Sequence, residues 1–170
     1  MRILVVEDTQ AKLKRIVAVL METGIPRDHI EVAVCSYSAR QFLRNNYYDL
    51  LLLDVLIPFR QEDDPDAQVC VDLLEDISEG GEYKRPGNIV GLTAYDEGIA
   101  DAVDTFNEML WNVIKVSEAD NGWVERVKNC VNYLRSARKE DATRTSKAEV
   151  LVICALRSPE LEAVKKLPWN

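Results

Sequence analysis

One histidine and four scattered cysteines are the whole supply of nitrogen and sulfur metal ligands in this 170-residue chain. His29 stands apart from any cysteine pair, and Cys35, Cys70, Cys130 and Cys154 show no paired spacing. A zinc site is not expected; reduced, buried thiols of a cytoplasmic protein are. The first apolar run starts at once with no signal-peptide pattern, and no apolar stretch approaches the ~20 residues that span a bilayer. Positive charge is short as well: 21 Lys and Arg against 29 Asp and Glu leave a formal net charge of −8. That argues against non-specific electrostatic binding to nucleic acid or anionic membranes, a small basic patch aside, and no helix-turn-helix pattern argues otherwise. The length allows one domain with a full core and some chain besides.

What is present is alternation. Ile3-Leu4-Val5-Val6 reads as a strand, and the helix after it sets Leu13, Ile16, Val17 and Leu20 on one face before Gly24 stops it. Residues 30–34 alternate apolar and polar, as an edge strand does. A short helix over 38–45 presents Phe42 and Leu43. Leu50-Leu51-Leu52-Leu53 is apolar on both faces and belongs in the middle of a parallel sheet. Helical spacing returns over 69–78 through Cys70, Leu73, Leu74 and Ile77, and Gly80-Gly81 ends it. A strand over 88–92, a helix using Ile99, Ala102, Val103 and Phe106, and a strand over 111–114 follow. The last helix, about 118–138, buries Val124, Val127, Val131 and Leu134, with Trp123 and Cys130 either in the core or in a homodimer seam. Strict strand–helix alternation predicts a doubly wound, five-stranded parallel sheet with right-handed crossovers and helices on both faces.

The strands end in polar residues: Glu7-Asp8, Asp54, Thr93 and Lys115. Singly, each has an ordinary reading as a cap, a turn or a surface lysine. In the doubly wound order 2-1-3-4-5, strands one, three, four and five are neighbours, so these ends share the crevice where open α/β sheets bind ligands. Acids that close repel by roughly several kcal/mol at an effective dielectric near 20. A cation is called for, and oxygen-only ligands point to Mg²⁺. Asp54 is then a nucleophile open to a phosphoryl donor, with Lys115 balancing charge and Thr93 hydrogen-bonding the group. Downstream, residues 59–68 carry Glu62, Asp63, Asp64 and Asp66 around Pro65 without periodicity. They predict a solvated acidic loop overhanging the site, or else a gate or second cation-binding lip; a calcium loop lacks its glycine and distal glutamate.

Val5-Val6-Glu7-Asp8, Leu52-Leu53-Asp54-Val55-Leu56-Ile57-Pro58, Leu92-Thr93-Ala94 and Val113-Ile114-Lys115 are the motifs by which residues 1–136 resemble a response-regulator receiver domain of two-component signalling. The resemblance implies a flavodoxin-like sheet and a phospho-acceptor Asp54 served by a sensor histidine kinase or phosphotransfer protein. It implies Mg²⁺ held directly by Asp8 and Asp54, through water by Glu7, and by the Leu56 carbonyl. Thr93 would be the switch hydroxyl and Lys115 the site lysine. No enzyme activity beyond self-phosphorylation and dephosphorylation is implied. Phosphorylation would alter the surface of the fourth helix, fifth strand and last helix, a surface that can also support a homodimer. Departures are plain. Val116 stands where proline is usual, and Asn112 where an aromatic is usual, with Trp111 one position earlier; the acidic loop replaces a short glycine-containing turn. Leu56 and Tyr95 would influence how water reaches the acyl phosphate.

Residues 137–148 read as a linker, and 149–170 as a strand, Val150 to Ala155, and a helical stretch with Leu161, Val164 and Leu167. Such a pair cannot bury a core alone, so a chain cut just inside a second α/β domain is expected. Residues 149–156 and 159–164 resemble the opening of nucleoside phosphorylase or nucleosidase domains. A pseudo-receiver that binds a protein without phosphorylation is the alternative function. A haloacid-dehalogenase-type hydrolase needs an acid two residues after its nucleophile, where Leu56 stands.

Overall fold

The computed structural model describes residues 1–94, 99–117 and 121–143, with side chains of the last helix as far as Arg138. The chain divides into two compact units, Met1–Ala137 and Arg138–Asn170, and the architecture below is that of the first. The element order is β1 Ile3–Val6, α1 Gln10–Glu22, β2 Ile30–Ala33, α2 Ser36–Asn45, β3 Leu50–Asp54, α3 Ala67–Glu79, β4 Ile89–Thr93, α4 Ala100–Glu108, β5 Asn112–Lys115 and α5 Gly122–Thr143. All pairings in the five-stranded sheet are parallel, in the order β2-β1-β3-β4-β5. This is the flavodoxin-like, doubly wound arrangement that the strand–helix alternation predicts.

Alternation of side chains along the strands builds two cores. Ile3, Val5, Leu50, Leu52, Val90, Leu92 and Ile114 face α1 and α5, packing on Leu13, Ile16, Leu20, Trp123, Val127 and Val131. Leu4, Val6, Leu51, Leu53 and Ile89 face the other way, onto Leu43 of α2, Leu73, Leu74 and Ile77 of α3, and Phe106 of α4. β3 is buried at every position, which is why its four leucines carry no polar alternation. In α1 the inward face is Leu13, Ile16, Val19 and Leu20, with Val17 only partly buried.

Trp123 is 2% exposed and lies inside the core. Of the two readings of Trp123, core or homodimer seam, the structure shows the core: its indole packs in the layer against the sheet, with Cys130 partly buried in the same layer. Trp111 packs edge-on against Phe106, ring centroids 6.3 Å apart, while Asn112 is exposed. The sequence reading of a loop over 59–68 is also modified. Its stem is tied to α2: Ser36 N donates to the Pro58 carbonyl and Tyr37 N to that of Phe59, each at 2.9 Å. Asp66 N donates to the Ile57 carbonyl, and the Asp66 carboxylate caps α3 by accepting from Gln68 N at 2.9 Å. The hydrogen bonds that fix the stem are backbone contacts, which periodicity does not register. Residues 137–143, the first part of the expected linker, are instead the end of α5, and Tyr95, residues 144–148 and the stretch from 149 onward lie outside the described residues.

Gly91 sits in the middle of β4 because nothing larger fits. A Cβ there would lie 2.9 Å from Phe106 Cζ and 3.1 Å from Val113 Cγ2. Gly91→Ala should therefore cost about 1–3 kcal/mol through overpacking, read as a lower urea midpoint at unchanged slope. Asp66→Ala should cost about 1 kcal/mol by removing the α3 cap. An unchanged midpoint in either variant would contradict the packing described.

Candidate functional site

Sheet register brings the acids together. Val6 of β1 is opposite Leu53 of β3, so Glu7, one residue past β1, comes level with Asp54. The backbone stays in the ladder there, Glu7 N donating to the Ala33 carbonyl at 3.0 Å. Asp8 follows as the chain turns into α1. One carboxylate oxygen from each of Glu7, Asp8 and Asp54 lies within 4.8 Å of the others, and no other acid, histidine or cysteine group of this kind occurs among the described residues. Glu62, Asp63 and Asp64 of the acidic loop are exposed and form no such group of three.

On the far side, Asp54 is opposite Leu92 and Thr93 is opposite Lys115. The chain holds register past these ends: Val55 N donates to the Leu92 carbonyl at 2.9 Å and Val116 N to that of Thr93 at 2.6 Å. Thr93 is buried and Lys115 exposed. Thr93 is thus one residue beyond Asp54 on the adjacent strand.

The sequence reading missed Lys12. Its ammonium lies 2.8 Å from Glu7 Oε2 and 2.8 Å from Asp54 Oδ2, on a side chain only 12% exposed. Helical periodicity assigns Lys12 to the solvent face of α1. One signal was available: a lysine in the first turn opposes the positive end of the helix dipole, and the acids offset that penalty. Asp54 is consequently not open to solvent as the sequence reading had it. It is 5% exposed, beneath Lys12, with Oδ1 accepting from Leu56 N at 3.4 Å.

Burial governs the electrostatics. It pushes the Asp54 carboxyl up, against the pull of Lys12. Burial and the Asp54 charge push Glu7 up from 4.5 to about 7, again against Lys12. Burial alone would lower the Lys12 pKa, but Asp54 and Glu7 carry it above the ordinary lysine value. Nearby, burial and then Asp54 hold the Cys70 thiol well above its usual range. It is protonated and inert.

The donor set fits a hard divalent cation. It consists of oxygens only, it is short of positive charge, and the buried Glu7 Oε2 makes no well-directed hydrogen bond despite its ion pair. Mg²⁺ suits carboxylates of this number while keeping waters of its own.

The raised Glu7 pKa sets a pH dependence. Because the folded value lies above the unfolded one, the stability is present in full below about 4.5 and is lost as pH rises through about 7. In EDTA the wild type should lose on the order of 3 kcal/mol across that interval. Glu7→Gln should flatten most of this slope in urea unfolding at a series of pH values; an equal slope in the variant would contradict the burial of that charge.

No family model matches the chain. It is 35% identical over 173 aligned positions to the uncharacterized protein y4jS of Sinorhizobium fredii (strain NBRC 101917 / NGR234), covering 96% of this chain. The chain spans 42% of that relative's length. Among solved structures, the phosphorylated cyanobacterial phytochrome response regulator RcpA superposes with a TM-score of 0.63 at 21% identity, over 80% of this chain and 94% of that one. The Mn²⁺-bound response regulator Rcp1 gives 0.58 at 22%, over 77% and 91%. A CheY-like receiver domain from Methanospirillum hungatei JF-1 gives 0.59 at 20%, over 82% and 97%. At these identities the likeness establishes architecture: the chain has the fold of response-regulator receiver domains.

Proposed function

We propose that the chain is a phosphoryl-accepting signalling switch of the two-component kind, regulatory rather than an enzyme acting on a separate substrate. The observation that carries this reading is the convergence of Glu7, Asp8 and Asp54 at the carboxyl edge of the sheet. The shared fold supports it, as does the phosphorylated state of the similar RcpA. Asp8 and Asp54, with the Leu56 carbonyl and Glu7 behind them, would hold Mg²⁺, which when bound neutralises charge on the transferring phosphoryl group.

In the transfer step a carboxylate oxygen of Asp54 attacks phosphorus on a phosphohistidine of a sensor kinase or phosphotransfer protein. An O–P bond forms, the P–N bond breaks, and its electron pair stays on the imidazole nitrogen, which takes up a proton. Lys115 pairs with the new phosphoryl oxygens and Thr93 donates its hydroxyl to one of them. Displacement of Thr93 at the end of β4 then biases the surface of α4, β5 and α5. With Asn112 exposed and Trp111 held on Phe106, the change proceeds without an aromatic rotation at the position three residues before Lys115. We assign this module to residues 1–136; residues 137–148, which α5 enters as far as Thr143, would link it to a second domain that 149–170 opens. The resemblance of that stretch to a nucleosidase gains no support from the relatives described above.

A second reading, a phosphorylation-independent binding module, is favoured by one observation, the Lys12 ammonium held on Asp54. One experiment separates the two. Incubation with acetyl phosphate and Mg²⁺ should add one phosphoryl group to the wild type by mass spectrometry, none to Asp54→Asn, and none after EDTA. A wild type left unlabelled, under conditions that label a known receiver, would favour the binding module.

A further inference from the structure

Lys12 has no part in the transfer step above, yet its placement is costly in several ways. Burial disfavours its charge, the first turn of α1 sets it against the positive end of the helix dipole, and a long side chain gives up rotamer freedom to be held. What holds it is two carboxylates of the acid cluster, each at 2.8 Å. A lysine on the exposed side of α1 would need neither contact. A monovalent ammonium seated on Glu7 and Asp54 and a divalent ion drawn to Asp54 and Asp8 repel one another strongly in a poorly solvated site.

We propose that Lys12 is a built-in cation lock on this site: its ammonium competes with Mg²⁺ for Asp54 and for the charge of Glu7, and the metal loads only as the side chain swings out. The affinity for Mg²⁺ is then set by Lys12 as much as by the acids. Metal loading, rather than exposure of Asp54, becomes the step that readies the acceptor. The inference rests on the reading of the preceding section only in taking the acid cluster as a divalent-ion site.

The test is calorimetric titration of Mg²⁺ into EDTA-stripped, exchanged protein. A competing charge-assisted contact shifts an equilibrium roughly ten- to a hundredfold. Lys12→Met should therefore bind Mg²⁺ at least about tenfold more tightly than the wild type, whereas Lys12→Arg, which keeps the charge, should not gain. Lys12→Gln should show the same gain and serves if the methionine variant does not fold. A residue that merely braced the site would give the opposite sign, weaker Mg²⁺ binding on its removal. Equal or weaker affinity in the uncharged variants, or no Mg²⁺ binding by any of the proteins, overturns the lock. The labelling experiment on the same samples keeps the two ideas apart. A gain in Mg²⁺ affinity with Asp54 unlabelled leaves the lock standing and removes the switch; labelling without the gain does the reverse.

Discussion

Carboxylates packed at the edge of a parallel sheet are the constraint on which the rest of this structure turns. Register, not choice of loop, puts Glu7 beside Asp54, and both are almost fully removed from water. Such a pair is expensive in the ionised form. The protein answers with a cation of its own: Lys12 bridges both acids, and its pKa rises as theirs resist ionisation. Compensation of this kind holds the acids of the sheet edge together in the folded chain.

The scaffold makes that possible by being rigid where the site needs it. β3 is buried on both faces between two hydrophobic layers, so Asp54 leaves the sheet at a fixed height. Gly91 lets Phe106 of α4 press directly on β4, two residues before Thr93. The stem of the 59–68 loop is hydrogen-bonded to the start of α2, with Arg40 lying 5.8 Å over the Phe59 ring. The loop is anchored at its base, and its acids are exposed and take no part in the cluster.

The fold was legible because its signals are periodic. Four consecutive leucines before Asp54, apolar residues three and four apart in α1 and α3, and glycines after α3 each answer to local geometry. The polar strand ends were legible as well, since a strand that stops in an acid announces an edge. Lys12 was not, because helical spacing assigns it to water and only register across β1 and β3 reveals the acids waiting beside α1. The loop stem was hidden for a related reason: its contacts are backbone hydrogen bonds between segments distant in sequence. Trp123 could be read two ways, as core or as seam, because side-chain type gives burial but not the partner; packing against Arg15, whose guanidinium lies 5.3 Å over the ring, and the sheet decides it.

The most direct test of this account is an anomalous-scattering map from crystals grown with Mn²⁺ as a stand-in for Mg²⁺. One peak bounded by the Asp8 and Asp54 carboxylates and the Leu56 carbonyl, with the Lys12 ammonium withdrawn from its 2.8 Å contacts, is what the account predicts. Manganese bound instead at Glu62–Asp64, or no peak at the strand edge at saturating metal, would contradict it.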